Sequence, residues 1–432
     1  MKHLFISLSL AIVFQHSSFA QRAGEQVVVI AEQAPLKSGA DVRAQLDRGT
    51  VLLVRDVNDV WLKVRFHGIT GWVYAPQVIP ADDAIDYFSR RISSRPRPDD
   101  FVLRAKAWNA AGGYRSAIDD CNTAIRLRTN YALAYAERGW SQYALGEHQK
   151  AVDDLSQAIR LNPRDDGSYN NRGLAWQALG NREKALEDFN HAIHMNGNEP
   201  VRYVNRGILL SSNGAYEGAL IDFDKALKLD PADVVALAER AHVLQSNGEV
   251  AKAMDDMNEA LRLDPNRVES YLKRGELWSL SGDLDKALGD IDAAVKLSPD
   301  NVNARVPRAI VLRKKGDYEE ALVEYSSLAT SNPTDEYILS SFAWFRAVCP
   351  DEKFRDGSEA VTLATKACEL TEWKSPANLD ILATAYAEAG DFQKAIEWQE
   401  KTLELLGEDA DDDVRARLAL FKSNKPYREQ LD

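Results

Sequence analysis

Hydrophobic and polar positions follow two different periods along this chain. From Gln26 to about Pro80 the period is two: Leu62, Val64 and Phe66 alternate with Lys63 and Arg65, which puts one face in a core and the other in water. Runs rich in Val and aromatic residues at 27–30, 50–57, 60–66 and 71–76 predict short strands, with Asn58-Asp59 and His67-Gly68 as turns. Four or five such strands in so short a segment predict a small barrel. Beyond Pro98 the period changes. Tyr169, Gly173 and Trp176 are spaced i, i+4, i+7, as are Ala185, Phe189 and Ala192, which predicts two successive amphipathic helices.

That helical pattern recurs in register. A small residue stands at Ala105, Gly139, Gly173, Gly207, Ala241, Gly275 and Ala309, each 34 residues from the next. Gly112, Gly146, Gly180, Gly214, Gly248, Gly282 and Gly316 keep the same step, as do Ala117, Ala151, Ala185, Ala219, Ala253, Ala287 and Ala321. Proline closes most units, at Pro163, Pro231, Pro265, Pro299 and Pro333. A constant period of this length marks a repeat array whose short helices are marginal alone and depend on their neighbours.

The 34-residue unit, in its small–turn–Ala–aromatic–Ala–Pro order, resembles the tetratricopeptide repeat. The resemblance implies a mainly α fold, a right-handed superhelical α-solenoid of about nine helix hairpins starting near 98, 132, 166, 200, 234, 268, 302, 336 and 376. The eighth unit is longer, and its insertion at 349–358 falls at the turn between its helices. Residues 98–406 form the solenoid in this reading, 81–97 a helical and Pro-rich linker, and 407–432 a capping helix and tail with Asp411, Asp412 and Asp413 at a helix N-terminus. At the other end, Trp61, Trp72 and Tyr74 sit in a strand–turn–Gly-Trp-Val pattern that is similar to the second half of a bacterial SH3-like domain, here 26–80. That likeness implies envelope association and either a cell-wall peptide ligand or a packing role without one.

One regularity goes beyond the repeat pattern. Arg104, Arg138, Arg172, Arg206, Arg240, Arg274 and Arg308 precede the small residue. Asp120, Asp154, Asp188, Asp222, Asp256, Asp290 and Glu324 follow at a fixed distance, and units eight and nine lose both partners together. A ladder of Arg–carboxylate pairs is expected, with an arginine row facing a ligand as the alternative.

The resemblance also implies that first-helix residues line a concave groove. Counting from each unit's first residue, positions 2, 5, 9, 12 and 13 give Leu133, Ala136, Trp140, Tyr143 and Ala144 in unit two. They give Asn170, Leu174 and Gln177 in unit three, Val201, Val204 and Ile208 in unit four, and Val235, His242 and Gln245 in unit five. Unit seven adds Ile310, Arg313 and Lys314. The expected groove begins apolar and becomes basic, which suits an extended or helical peptide with an acidic end. Position 5 carries no lysine, so a receptor for a chaperone's C-terminal carboxylate is not expected.

Composition narrows the function classes. An apolar share of 45% excludes wholesale disorder, and 28% charged residues exclude a membrane-embedded body. The net charge of −13 argues against a nucleic-acid partner. Residues 1–20, with Lys2, an apolar run from Leu4 to Phe14, and Ser18 and Ala20 at the end, read as a secretory signal, placing the mature chain in the periplasm or outside the cell. That run is too short to span a bilayer. Cys121, Cys349 and Cys368 do not make a disulfide framework, although a Cys349–Cys368 bridge is conceivable. No phosphate-loop, HExxH or GxSxG signature occurs. His191 and His194 lack a third metal ligand and read as a solvent-facing pair. No cofactor and no enzymatic activity are expected. The expected function is an exported protein-interaction scaffold; the alternative is a cell-wall ligand-binding protein with the repeats as spacer.

Overall fold

A computed structural model of the chain describes residues 24–66 and 69–429, so the expected signal at 1–20 lies outside the described residues. Among the described residues the fold is mainly helical, with 20 helices following a seven-stranded antiparallel sheet in the chain. It divides into two units, Met1–Pro231 and Ala232–Asp432.

In the first unit, β1 (Gln26–Val29), β2 (Gln33–Ser38), β3 (Asp41–Asp47), β4 (Val51–Asn58), β5 (Trp61–Phe66), β6 (Ile69–Tyr74) and β7 (Val78–Pro80) pair in the order β3-β2-β6-β5-β4-β1-β7. The alternation predicted for β5 holds: Leu62 and Val64 join Val27, Leu36, Leu46, Leu52, Val54 and Val73 in the core. Strands β2, β3 and β7 lack a clear alternating apolar run and were not legible. Asp59 turns the β4–β5 hairpin at φ 55°. The all-β region is consistent with an SH3-like domain.

Helix α1 (Ala81–Ser94) occupies most of the expected linker. It is packed rather than extended: Ala84 and Phe88 are buried in one cluster with Val28 of the sheet and Ala107 of the next helix. The hairpins of this unit are α2 (Pro98–Ala110) with α3 (Tyr114–Leu127), α4 (Ala132–Ala144) with α5 (His148–Leu161), α6 (Asp166–Ala178) with α7 (Arg182–Met195), and α8 (Pro200–Ser212) with α9 (Tyr216–Leu229).

The second unit holds α10 (Val234–Ser246) with α11 (Val250–Leu263), α12 (Val268–Leu280) with α13 (Leu284–Leu297), and α14 (Val302–Lys315) with α15 (Tyr318–Ser331). It continues with α16 (Glu336–Val348) and α17 (Gly357–Leu370), then α18 (Pro376–Glu388), α19 (Phe392–Leu406) and the terminal α20 (Asp412–Lys422). Asp411 caps α20 by accepting from the Val414 N–H at 2.8 Å, and Asp356 caps α17 after the insertion.

Two glycine columns explain the hairpins. The turn glycines from Gly112 to Gly316, and Gly390, all have φ between 74° and 88°, a left-handed value that carries a penalty for side chains. The buried glycines serve close approach instead: a Cβ on Gly173 would lie 2.7 Å from Phe189, and one on Gly207 2.7 Å from Phe223.

The arginine ladder is present as hairpin cross-links. Arg104, Arg138, Arg172, Arg206, Arg240 and Arg274 each donate two hydrogen bonds to the aspartate of the second helix, at 2.6–2.9 Å. Their guanidinium pKa rises where that bond dominates, as at Arg138 and Arg206. Unit seven departs: Arg308 turns to Asp292 at 2.7 Å and lies 3.6 Å from Glu324. The longer glutamate reaches Arg305 instead, at 2.7 Å. The arginines are therefore held inside the hairpins rather than presented as a row to a ligand.

Candidate interaction surface

The first helices of successive repeats touch: α2, α4, α6 and α8 in the first unit, and α10, α12, α14, α16 and α18 in the second. Every expected groove residue lies on one of these helices, but the structure sorts them by accessibility.

In the first unit Leu133, Ala136, Trp140, Tyr143, Leu174, Gln177 and Ile208 are half-buried. Val201 is exposed at 50%. Trp140 and Tyr143 lie with ring centroids 5.6 Å apart, and Tyr143 meets His148 at 5.5 Å. Leu174 also packs on Phe189 and Leu209, so it divides its surface between neighbour and solvent. Two expected positions are not offered to a ligand. Asn170 is buried and accepts a hydrogen bond from Asn205 of the next repeat at 2.9 Å. Val204 is 4% exposed. At Asn170 the neighbouring repeat takes the place expected for a partner. Similar ties join Asn109 to Glu137 and Ser141.

In the second unit His242 and Lys314 are exposed and Ile310 is half-buried, while Gln245 donates to Glu276 at 2.7 Å. The expected basic end is a correction. Arg313 is buried and ion-paired with Glu429, because the C-terminal segment returns to this row of helices and neutralises it. Tyr427 meets Trp344 at 5.8 Å, and Arg428 pairs with Glu388 at 2.5 Å. Trp344 occupies position 9 of unit eight, the column of Trp140 and Ile310, so counting one repeat further would have found it. Tyr427, Arg428 and Glu429 carry no periodic signal and were missed.

On the strand domain, Trp61 and Tyr74 are cross-strand partners with centroids 5.4 Å apart. Lys63 faces Trp72 in the same register, with its Nζ 5.9 Å from the ring, and the Lys37 Nζ lies 5.5 Å from Trp61. Arg65 continues this face and clasps α9: with Arg55 it pairs with buried Asp230, at 2.5 and 2.6 Å, and it donates to the Leu229 carbonyl at 2.6 Å.

His191 and His194 are exposed, with His191 against Tyr169 at 5.4 Å, and no trio of metal-binding side chains occurs among the described residues. All three cysteines are buried free thiols, so Cys349 and Cys368 are not bridged. Burial pushes Cys121 upward in pKa and Cys368 up to about 12, which suits packing rather than nucleophilic chemistry.

Comparisons with known proteins follow the same lines. A family model described as "Tetratricopeptide repeat" matches residues 204–268, 238–302 and 281–336, a second of that description matches 167–199, and one described as "TPR repeat" matches 141–180. No curated protein matches. Among solved structures, yeast Tom70 is similar at 18% identity and TM-score 0.46, over 79% of this chain and 85% of that one. A tetratricopeptide repeat protein from Parabacteroides merdae is similar at 23% identity and TM-score 0.45, over 56% and 96%. YrrB, described as a TPR protein with an unusual peptide-binding site, is similar at 19% identity and TM-score 0.35, over 43% and 95%. The chain carries tetratricopeptide repeats, behind an all-β N-terminal domain of seven strands consistent with an SH3-like fold.

Proposed function

We propose that the chain is an exported, non-catalytic scaffold that holds a partner protein or peptide on the row of first helices. Tetratricopeptide repeats generally mediate protein–protein interaction. The observation that carries the reading here is the half-buried aromatic and aliphatic set on α4, α6 and α8: Trp140 and Tyr143, with Leu133, Leu174 and Ile208 on the same row. Aromatic side chains that leave part of a large ring in water are the anchors interfaces favour, since each removes much apolar area for little lost rotamer freedom. Export rests on the signal-like residues 1–20, and among the described residues no helix is long and apolar enough to cross a membrane.

The strand domain supports a second reading, in which it recognises a cell-wall peptide. Trp61, Tyr74, Lys37 and Lys63 form one aromatic and cationic face there, suited to a ligand with carboxylates and apolar groups.

Full-length Trp140→Ala/Tyr143→Ala and Trp61→Ala/Tyr74→Ala variants separate the two. Affinity purification after crosslinking in the native envelope is expected to lose its partner with the first pair only. Loss of retention on purified cell wall with the second pair, and an unchanged partner set with the first, establishes the alternative.

A further inference from the structure

Helix α20 ends at Lys422, and the chain then reverses. Asn424 adopts the left-handed conformation at φ 52°, and the Lys425 N–H donates to the Leu420 carbonyl at 3.0 Å. Asn tolerates that conformation, and Pro426 prevents the helix from resuming. Residues 425–429 are therefore non-helical, and they contact the first helices of repeats seven, eight and nine. Tyr427 packs on Trp344 of α16, and the Arg417 guanidinium lies 5.6 Å from both rings. Arg417 is itself fixed by Asp380 of α18 at 2.9 Å. Arg428 pairs with Glu388 of α18, Glu429 pairs with Arg313 of α14, and the Glu429 N–H donates to the Val348 carbonyl at 3.2 Å.

The attachments of α20 and of the segment after it differ in depth: the helix contributes buried side chains, the segment at most half-buried ones. The helix buries Val414 and Phe421, 6% and 0% exposed, and adds the buried Arg417–Asp380 pair. The segment is held by one half-buried ring, two ion pairs and one backbone hydrogen bond, contacts of the sort a short peptide makes with a groove. They fall on Trp344, Arg313 and Glu388, at positions 9, 12 and 13 of their repeats, the columns from which the resemblance implies a ligand is held.

We propose that residues 425–429 are a built-in occupant of a second peptide site on α14, α16 and α18. In trans, that site takes an extended peptide presenting an aromatic residue, a cation and a carboxylate in that order. Trp344 with Arg417 receives the ring, Glu388 the cation and Arg313 the carboxylate. The proposal rests on the scaffold reading of the repeats but concerns a different set of them. A tethered occupant acts at roughly millimolar effective concentration, so the closed chain resists a free competitor.

The probe is a fluorescent synthetic peptide of residues 423–432, SNKPYREQLD, titrated by anisotropy against the full chain, a chain ending at Asn424, and full-length Glu429→Arg. Repulsion from Arg313 ejects the segment in the last variant while Tyr427 and the chain length are kept. Both variants are expected to bind the probe at least about tenfold more tightly than the full chain. Arg313→Glu/Glu429→Arg, which restores the pair in reverse, is expected to return to weak binding. A probe whose own glutamate is replaced by arginine is expected to lose affinity for the Asn424-terminated chain. If the shortened chain fails to fold, Glu429→Arg decides. Probe binding to Glu429→Arg no tighter than to the unaltered chain overturns the proposal and makes the segment a fixed part of the cap. Trp140→Ala/Tyr143→Ala leaves this titration unchanged, so its result stands apart from the partner test on α4 and α8.

Discussion

Arg172 closes its hairpin on Asp188 with two hydrogen bonds of 2.8 Å and reaches back to the Ser156 hydroxyl of the preceding hairpin at 3.1 Å. One side chain thus joins both helices of its own repeat and the second helix of the one before. The same backward reach appears from Arg104 to Ser89, Arg138 to Asn122, Arg206 to Asn190 and Arg274 to Asn258. The contact explains why the arginine and its acid recur together: either alone leaves a charge in a site shielded from water. Asp188 is 3% exposed, while the arginine keeps some contact with solvent. Asp188→Ala is therefore expected to cost about 3 kcal/mol, the low end for breaking a buried pair. Denaturant melts of both single variants and of Arg172→Ala/Asp188→Ala check this. The double variant should lose clearly less than the sum, and additive losses contradict the pairing.

Gly173 sets the spacing of the third hairpin. Its replacement by alanine places a methyl carbon 2.7 Å from Phe189, which is fully buried. Gly173→Ala is expected to destabilise by about 1–3 kcal/mol, despite the better helix propensity of alanine. In unit five the same columns hold Ala241 and Met257, a flexible side chain opposite the extra methyl. Adding Phe189→Met to Gly173→Ala should therefore recover part of the loss in a thermal melt.

Asp230 is a second point, besides the Val28–Ala107 cluster, where the strand domain meets the repeats of its unit. It is 6% exposed and receives two arginines, Arg55 and Arg65. Removing the carboxylate leaves Arg65 buried beside a single carbonyl acceptor. Asp230→Ala is expected to weaken the clasp by about 3 kcal/mol. The check is hydrogen exchange: β4 and β5 should exchange faster while α4 to α7 do not. Uniform faster exchange across the whole unit contradicts a local clasp.

The cysteines give a pH-dependent prediction. Burial raises the Cys368 thiol up to about 12 from its ordinary 9.0, so the folded state binds the proton more tightly than the unfolded one. Stability from this source is present below the unfolded value and is lost as pH rises from about 9 toward 12. At pH 8 in buffer, iodoacetamide followed by mass spectrometry should leave Cys121, Cys349 and Cys368 unmodified, and all three should react in denaturant. Rapid native labelling of Cys121 contradicts its packing role.

The parts of the fold that repeat were legible because repetition exposes what each position does. A glycine returning at Gly112, Gly146 and Gly180 pointed to a turn, and the structure gives each a left-handed φ. The Arg–Asp columns imply contact by their joint presence and joint loss. What is singular to one place was not legible. The alternation in β5 turned Arg65 outward, but nothing local showed that Asp230 would meet it from far along the chain. Asn170 read as a groove residue because polarity alone does not distinguish a ligand from a neighbouring repeat's Asn205. The C-terminal reversal depends on one left-handed Asn424 and one proline, and neither announces which surface the following residues will cover.

A partner held on the first helices would contact Leu174 and Ile208. That contact is tested most directly by site-specific photocrosslinking in the native envelope, with the crosslinking residue at Leu174 or Ile208 and, for comparison, at exposed Glu187 on α7. One discrete protein adduct is expected from Leu174 and from Ile208, lost in Trp140→Ala/Tyr143→Ala, and none from Glu187. Adducts from Glu187 alone, or first-helix adducts that survive loss of both aromatics, contradict partner binding on the first helices.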